Sequence, residues 1–584
     1  MKNFYISEIK ESIQKNITGY SSASHKYIEH SVDEWRKQLN TEDEDFFKKK
    51  LTLEGTSLDD FKSCLNLMLN STKKYHIDFV KVKDIGYLSV FGFYINKSFI
   101  EIENHLNNIN NSSQINSSSF LASCKEYLLS RLSKLSEKTI FHEFKVWEEK
   151  FGGDLSDFKK RLNNKNYINY FYNKYPLLYR LIEEETQSFT IYIKEILTNL
   201  INDWSYIAKI VKIDSLENIS LGLGDKHNGR SVSILKFSNG SRIVYKPHSL
   251  DNDCSYSVFM NKLFNNNIKY HIEFPKVVSR INYGWQEYIE HTKTNDNSFL
   301  KEYYYKIGVH LCTLYFLNGS DIHYDNNISK SKNPFFTDLE TLLGPYQGNL
   351  VFNSNVLRVG LLPMLHFNGE NYMQFGGIAN TKNEDSPFKL EKIDLEKGLV
   401  YEDVKIGERK NIPYENRQIL INFQDDLING FDRAYSILLE YKSVLSEILD
   451  STFKESKIRF LVRDTLVYSH LLNESFHPYH MTKGILFEQH IDWIWCQLSS
   501  QTPKNLIKSE KESLLNLDIP YFYTYYNSNS LFATNGYEFK NYFKNTSKKS
   551  LQFNIDNLSI EDKKRQLWMI KASLITDLLN NNQD

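Results

Sequence analysis

In the segment NGSDIHYDNN, Asp321 and Asn326 stand in a D-x4-N spacing with His323 between them. Asp338 follows at the end of a short apolar run, and Lys246 precedes them all at the end of a β-rich stretch. Those residue types, in that order, supply what phosphoryl transfer needs: a cation for the phosphates, oxygen ligands for a metal, and a carboxylate that orients an attacking hydroxyl. Each also has a plainer role open to it. A Lys at a strand end is commonly a solvated charge, and Asp and Asn favour turns. Asp338 could cap a helix over the Leu-Glu-Thr-Leu-Leu that follows, and the glycine-rich GLGDKHNG (Gly222 to Gly229) could be an ordinary turn.

A second group lies further along. KIRFLVRDTLVY carries Arg459, Arg463 and Thr465 at i, i+4 and i+6. The planar fork of a guanidinium binds phosphate bidentately, which suits removal of a phosphate as a leaving group. On a regular helix Arg459 and Arg463 share a face and Thr465 lies off it. From these residues alone, an amphipathic surface helix is the simpler expectation.

The elements that must position these groups can be read in outline. Residues 1 to about 205 are expected to be mostly helical, from apolar spacing in Tyr127–Leu135 and Leu177–Leu200. NNINNSSQINSSS (Asn107 to Ser119) is the plainest surface loop. SVSILKF-SNGS-RIVYKP (Ser231 to Pro247) is two β-rich runs joined by Asn-Gly, a strong hairpin signal. A helix over SYSVFMNKLFNN and a strand pair in FPKVVSRINYGWQEYIEH follow, an order that resembles a small nucleotide-binding lobe. A helix from Phe299 to Leu317 leads into the Asp321 loop, and the pattern from about Ile419 onward is mainly helical.

Composition bounds the function. The chain has 584 residues, enough for two or three packed units, and 38 Tyr with 38 Phe to build a core. A formal net charge of -1 gives no global field toward nucleic acid or a membrane surface, so an anionic ligand must be held locally. The five cysteines, Cys64, Cys124, Cys254, Cys312 and Cys496, have no close metal-ligand spacing and fit free thiols in a reducing cytoplasm. MKNFYISEIKESIQKN has no uninterrupted apolar core, so no signal peptide is expected, and no run reaches membrane-span length.

Protein kinases combine a strand Lys, a D-x4-N loop and a later metal-binding Asp. The added His, giving D-x-H-x-x-N, is more like lipid kinases. With GDKHNGRSVSILKF, IVYKPHSL, YGWQEYIEH, NGSDIHYDNN, TDLETLL and VLRVGLLP in fixed order, the chain resembles class II lanthipeptide synthetases, specifically their N-terminal dehydratase domain, from about Tyr175 onward. The resemblance implies an α+β fold: a lipid-kinase-like bilobal core with a helical N-terminal region and additional helical elements. The expected units are a helical region over 1–205, a small lobe over 206–292 and a large lobe over 293–584.

It further implies ATP and Mg2+ acting on a ribosomal precursor peptide, whose Ser and Thr are phosphorylated and then stripped of phosphate to leave dehydroalanine and dehydrobutyrine. By motif position, Lys246 contacts the ATP phosphates, with Asp225 and His227 near them. Asp321 orients or deprotonates the substrate hydroxyl beside His323, and Asn326 and Asp338 are metal ligands. The family's elimination motif has the form R-x-x-x-R-x-T, which makes Arg459 and Thr465 the elimination candidates. Three departures stand out: a single Gly229 follows His-Asn, His248 replaces the Arg that usually follows Lys-Pro, and the sequence given stops where family members continue into a zinc-dependent cyclase. No zinc and no ring formation are therefore expected, with a separate cyclase or other maturation enzymes as further partners. A peptide kinase without elimination, a small-molecule kinase of lipid-kinase type, and a non-catalytic peptide-binding protein are the alternatives, separable by product.

Overall fold

The computed structural model describes residues 25–581, apart from short stretches within 40–43, 71–84, 110–113, 347–354, 364–384, 395–397, 406–408, 415–419 and 498–502. The amino-terminal stretch 1–16, read above for a signal peptide, lies outside the described residues. The fold is α+β. Among the described residues, no helix is long and apolar enough to cross a membrane.

The described residues from 25 to 207 are mostly helical: α1 (His25–Gln38), α2 (Glu44–Leu53), α3 (Leu58–Asn70), α4 (Gly92–Ile109), α5 (Ser117–Phe151), α6 (Leu155–Arg161), α7 (Lys165–Lys174) and α8 (Pro176–Ile207). The expected loop over 107–119 is shorter than its composition suggests. Residues 107–109 close α4, and 117–119 open α5 because the Asn116 side chain accepts from the Ser119 N–H as an N-cap. Gly152, at φ +64, ends α5 in the left-handed conformation that glycine adopts most readily. Pro176 opens α8 at its first turn, where a missing N–H costs nothing.

A five-stranded antiparallel sheet follows, in the order β1-β2-β3-β5-β4, from β1 (Leu216–His227), β2 (Arg230–Phe237), β3 (Arg242–Lys246), β4 (Val277–Ser279) and β5 (Gly284–Glu287). Helix α9 (Asp251–Phe264) lies between β3 and β4 in the chain. The glycine-rich stretch is not a free loop: 222–227 is the end of β1, interrupted by register shifts. Asn228 and Gly229, at φ 49 and 74, make the two-residue turn into β2 that an Asn-Gly pair with both residues at positive φ favours. The sheet packs on α8, with Glu195 forking onto Arg230 (2.6 and 2.9 Å) and Asp203 accepting from Trp285 Nε1 (3.0 Å).

The second core is built around α10 (Asn297–Phe316). After it come the hairpins β6 (Asn327–Lys330)–β7 (Asn333–Phe336), β8 (Leu365–Asn368)–β9 (Asn371–Gln374) and β10 (Asp385–Asp394)–β11 (Gly398–Lys405), then α11 (Gln424–Glu440) and α12 (Leu445–Phe453). Helices α10 and α11 meet backbone to backbone. A Cβ added at Gly308 would lie 2.0 Å from the Leu427 carbonyl oxygen, and one at Gly430 would lie 2.0 Å from that of Tyr305. Gly308→Ala is therefore expected to lower stability by about 1–3 kcal/mol, the range for overpacking, read as a lower urea midpoint; an unchanged midpoint would refute this packing.

The carboxy-terminal part is less helical than its sequence suggests. The four-stranded sheet β12-β13-β14-β15 joins β12 (Lys457–Phe460) to β13 (Phe522–Tyr525), β14 (Leu531–Ala533) and β15 (Glu538–Phe539). Helices α13 (Thr465–Ser475), α14 (Gly484–Ile491) and α15 (Lys504–Leu515) lie between β12 and β13, and α16 (Ser547–Asn557) and α17 (Ile560–Asn581) come last. The first core takes in buried residues from Tyr468 to Ile519 along with the N-terminal helices. Buried charges reinforce that union: Asp492 accepts from Trp35 Nε1 (3.0 Å) and pairs with Lys50 and with Lys511 (2.7 Å).

Candidate active site

Lys246 is the last residue of β3, paired in register with Gly284 of β5, and is 5% exposed. Its Nζ donates to the Thr337 carbonyl oxygen, which brings the strand lysine beside Asp338. Asp253, in the first turn of α9, is half-buried beside this pair and accepts from Gln286 Nε2 at 3.4 Å. Burial lifts its carboxyl to about 6, Asp338 adds to the rise, and Lys246 and His248 oppose it. A carboxyl raised above its unfolded value near 3.9 favours the protonated native state, so its contribution is full below about pH 4 and lost as pH climbs through about 6. Asp253→Asn is thus expected to raise stability by up to about 3 kcal/mol at pH 8 and hardly at pH 4. Thermal melts at both pH values check this; an equal shift at both would contradict it.

The loop after α10 is held from behind. Arg358 donates to the Asn318 carbonyl oxygen, Thr341 Oγ1 to that of Ser320, and the Ile322 N–H to that of Val359 (3.0 Å). A Cβ at Gly377 would fall 2.6 Å from the Ile322 carbonyl oxygen, so only glycine lets that backbone approach. The result is Asp321 at φ 63, a left-handed conformation costly for a residue with a Cβ. Asn326 Nδ2 donates to the Asp321 carbonyl oxygen at 2.8 Å. His323 Nδ1 accepts from the Asp325 N–H (3.3 Å), and its Nε2 lies 3.4 Å from Asn326 Nδ2 and 3.8 Å from Asp321 Oδ1. The Thr337 N–H donates to the Asn326 carbonyl oxygen (3.1 Å), so Asn326 and Asp338 lie on adjoining strand ends. Burial raises the Asp321 carboxyl; His323 and Arg459 pull it down, while Asp338 and Glu340 push it up.

Arg459 belongs to this group, though not from a helix. It sits on β12 opposite Tyr523, with its backbone N–H on the Glu340 carbonyl oxygen (2.8 Å). Its Nη1 pairs with the Glu340 carboxylate, and its Nη2 faces His227 Nε2 at 3.5 Å and Asp225 Oδ2 at 4.0 Å. Burial alone would raise the Glu340 carboxyl, but the Arg459 guanidinium overrides it and holds it well below the usual range. Tyr521 donates to the same carboxylate at 2.9 Å, and His248, standing where the resembled family has Arg, lies 3.8 Å from it. One expectation is corrected here: the segment carrying Arg459, Arg463 and Thr465 is not a single helix. Arg463 is turned away into an ion pair with buried Glu510 (2.6 Å), and Thr465 is the first residue of α13, capped by Asp464. Strand pairing takes Lys457–Phe460 and the Asp464 cap starts a new helix, so the i, i+4, i+6 spacing does not lie on one helix. Among the described residues, no hydrogen bond joins Thr465 to Arg459.

The structure thus brings Lys246, Asp338, Asp225, His227 and Arg459 together through Thr337 and Glu340, with Asp321 in electrostatic reach. Three members escaped the sequence reading. Glu340 lies two residues after Asp338, in the T-D-L-E run, and Asp253 opens the helix after the hairpin, so both had a local signal. Tyr521 arrives from a distant segment and had none. A carboxylate at a strained loop, a buried strand lysine, oxygen donors near both and a half-buried arginine can serve phosphoryl transfer and the release of a phosphate.

The site stands at the junction of an antiparallel sheet and a helical core in an α+β protein. The chain belongs to the family described as a domain of unknown function, DUF4135, which matches residues 175–525. It is 27% identical over 439 residues to the Lacticin 481/lactococcin biosynthesis protein LcnDR2 of Lactococcus lactis subsp. lactis, a match covering 69% of this chain and 46% of that protein. The chain thus spans about half the length of the relative it matches. Both findings support the kinship with class II lanthipeptide synthetases carried by the motifs.

Proposed function

We propose that this chain is a lanthipeptide dehydratase, which phosphorylates Ser and Thr of a ribosomal precursor peptide and then eliminates the phosphate to give dehydroalanine and dehydrobutyrine. Its core is read as lipid-kinase-like and bilobal, with the β1–β5 sheet as the small lobe and the α10/α11 unit as the base of the large one. The observation that carries this reading is the Arg459–Glu340 pair, which links the residues suited to phosphorylation to Asp225 and His227 within one cluster.

In the first half-reaction Asp321 orients the substrate hydroxyl and takes its proton, and His323 steadies the carboxylate. Lys246 lies where a cation can meet the phosphates of ATP. Asn326 and Asp338 offer the hard oxygen donors that suit Mg2+, and ATP with Mg2+ supplies an electrophilic, charge-shielded γ-phosphoryl group. In the second half-reaction Arg459 leaves Glu340 for the phosphate and stabilises the departing dianion. Thr465 remains a candidate for that step by motif position. Incubating a precursor peptide, encoded beside this protein, with ATP and Mg2+ should give successive losses of water by mass spectrometry. Gains of phosphate alone would point to a peptide kinase, and water loss without ATP would sink the proposal.

A further inference from the structure

Elimination of phosphate also needs a base for the weakly acidic Cα proton, and none of the roles above supplies one. His227 ends β1 with its ring between two partners of opposite kind. Nδ1 lies 2.7 Å from the Ile519 carbonyl oxygen, which can only accept, so Nδ1 carries the proton. Nε2 lies 3.5 Å from Arg459 Nη2, which can only donate, so Nε2 presents its lone pair. The Tyr521 ring closes a third side, edge-on at 5.1 Å between centroids. One neutral tautomer is fixed, with its basic nitrogen directed at the guanidinium.

Resting on the reading that phosphate departs on Arg459, we propose that His227 Nε2 is the base that removes the Cα proton of the phosphorylated residue. The Cα–H bond breaks toward Nε2, and its electron pair becomes the Cα=Cβ bond. The Cβ–Oγ bond breaks with its pair leaving on the phosphate oxygen, and the imidazolium then gives its proton to the released phosphate. No further reactant is required, and the starting tautomer returns.

The neighbours favour this choice. Burial and the Arg459 charge lower the imidazole's pKa, against the opposing pull of Glu340 and Asp225, so the ring is neutral at pH 7. Tyr521 is held as a phenol and donates to Glu340, and Glu340 is a poor base because Arg459 stabilises its anion. Among the described residues, Asp225 on β1, Arg459 on β12, Glu340 after β7 and Tyr521 before β13 are the charged and titratable groups that face the ring.

The test presents the precursor peptide made with phosphoserine, which bypasses phosphoryl transfer. With the parent protein, phosphate release should rise with pH and level off below about pH 6.5, the ordinary His value. His227→Asn keeps a donor for the Ile519 carbonyl but has no base at the ε position. It should slow release by at least about 100-fold, as loss of a general base does, and lose that inflection. Release by the variant at the parental rate would overturn the proposal. So would a parental profile that levels off only above about pH 9, as a lysine base would give; this arm does not depend on the variant folding. A parent protein that leaves the phosphopeptide intact would instead overturn the elimination reading itself, and the base assignment with it.

Discussion

Asp321→Asn is expected to abolish both phosphorylation and dehydration of the precursor peptide, with phosphoryl transfer falling by about 10³-fold or more. General-base groups contribute roughly 10² to 10⁴, and in the proposed mechanism the same carboxylate also orients the nucleophile. The substitution is well suited to separating chemistry from folding. Asp321 sits at φ 63, a conformation that Asn tolerates at least as well as Asp, and its backbone carbonyl keeps the bond from Asn326. Loss of activity with an unchanged melting temperature is the predicted pair of results. In the parent, burial raises the Asp321 carboxyl, so phosphorylation should decline on acidification at a pH above the ordinary aspartate value near 3.9. Normal dehydration by Asp321→Asn would remove this residue from the mechanism.

Arg459→Lys should have the other large effect: phosphopeptide accumulates while dehydrated product falls by about 10²-fold or more, the scale for losing a charge-stabilising donor. Lysine keeps the positive charge beside Glu340 but cannot fork onto a phosphate. Arg459→Ala is the harsher variant, because an unpaired buried carboxylate at Glu340 would cost about 3–5 kcal/mol. Quantifying phosphorylated and dehydrated peptide by mass spectrometry over time separates the two half-reactions. Equal slowing of both would assign Arg459 to the site as a whole rather than to elimination. Thr465→Ala belongs in the same assay. Parental dehydration by that variant would fit the absence, among the described residues, of any hydrogen bond from Thr465 to Arg459.

What could be read from the sequence was what is written locally. The Ser238-Asn239-Gly240 turn, the helix from Asn297 to Phe316 and the D-x4-N loop announce themselves within a few residues, and the structure has each of them. In the GLGDKHNG stretch the glycines suggest a turn throughout and mask the strand that continues β1 to His227. The Asn228-Gly229 pair inside it was the turn signal that went unused. Strand β12 was hidden more deeply. Four residues whose one arginine stands at a helical interval from Arg463 have no local mark of a strand, and their partner, Phe522–Tyr525, lies more than sixty residues downstream. The same non-locality hid Tyr521 and the pairing of Arg463 with Glu510, whereas the order of the motifs carried the kinship through the Lys246, Asp321 and Asp338 positions.

The central claim is that water is lost through a phosphorylated intermediate in this cluster. A precursor peptide carrying ¹⁸O in a Ser hydroxyl tests it most directly, by mass analysis of the small products after incubation with ATP and Mg2+. If the hydroxyl is phosphorylated and the phosphate then leaves, the label must appear in inorganic phosphate. Label released as water, with unlabelled phosphate, would mean that dehydration does not pass through phosphoserine and would contradict the account.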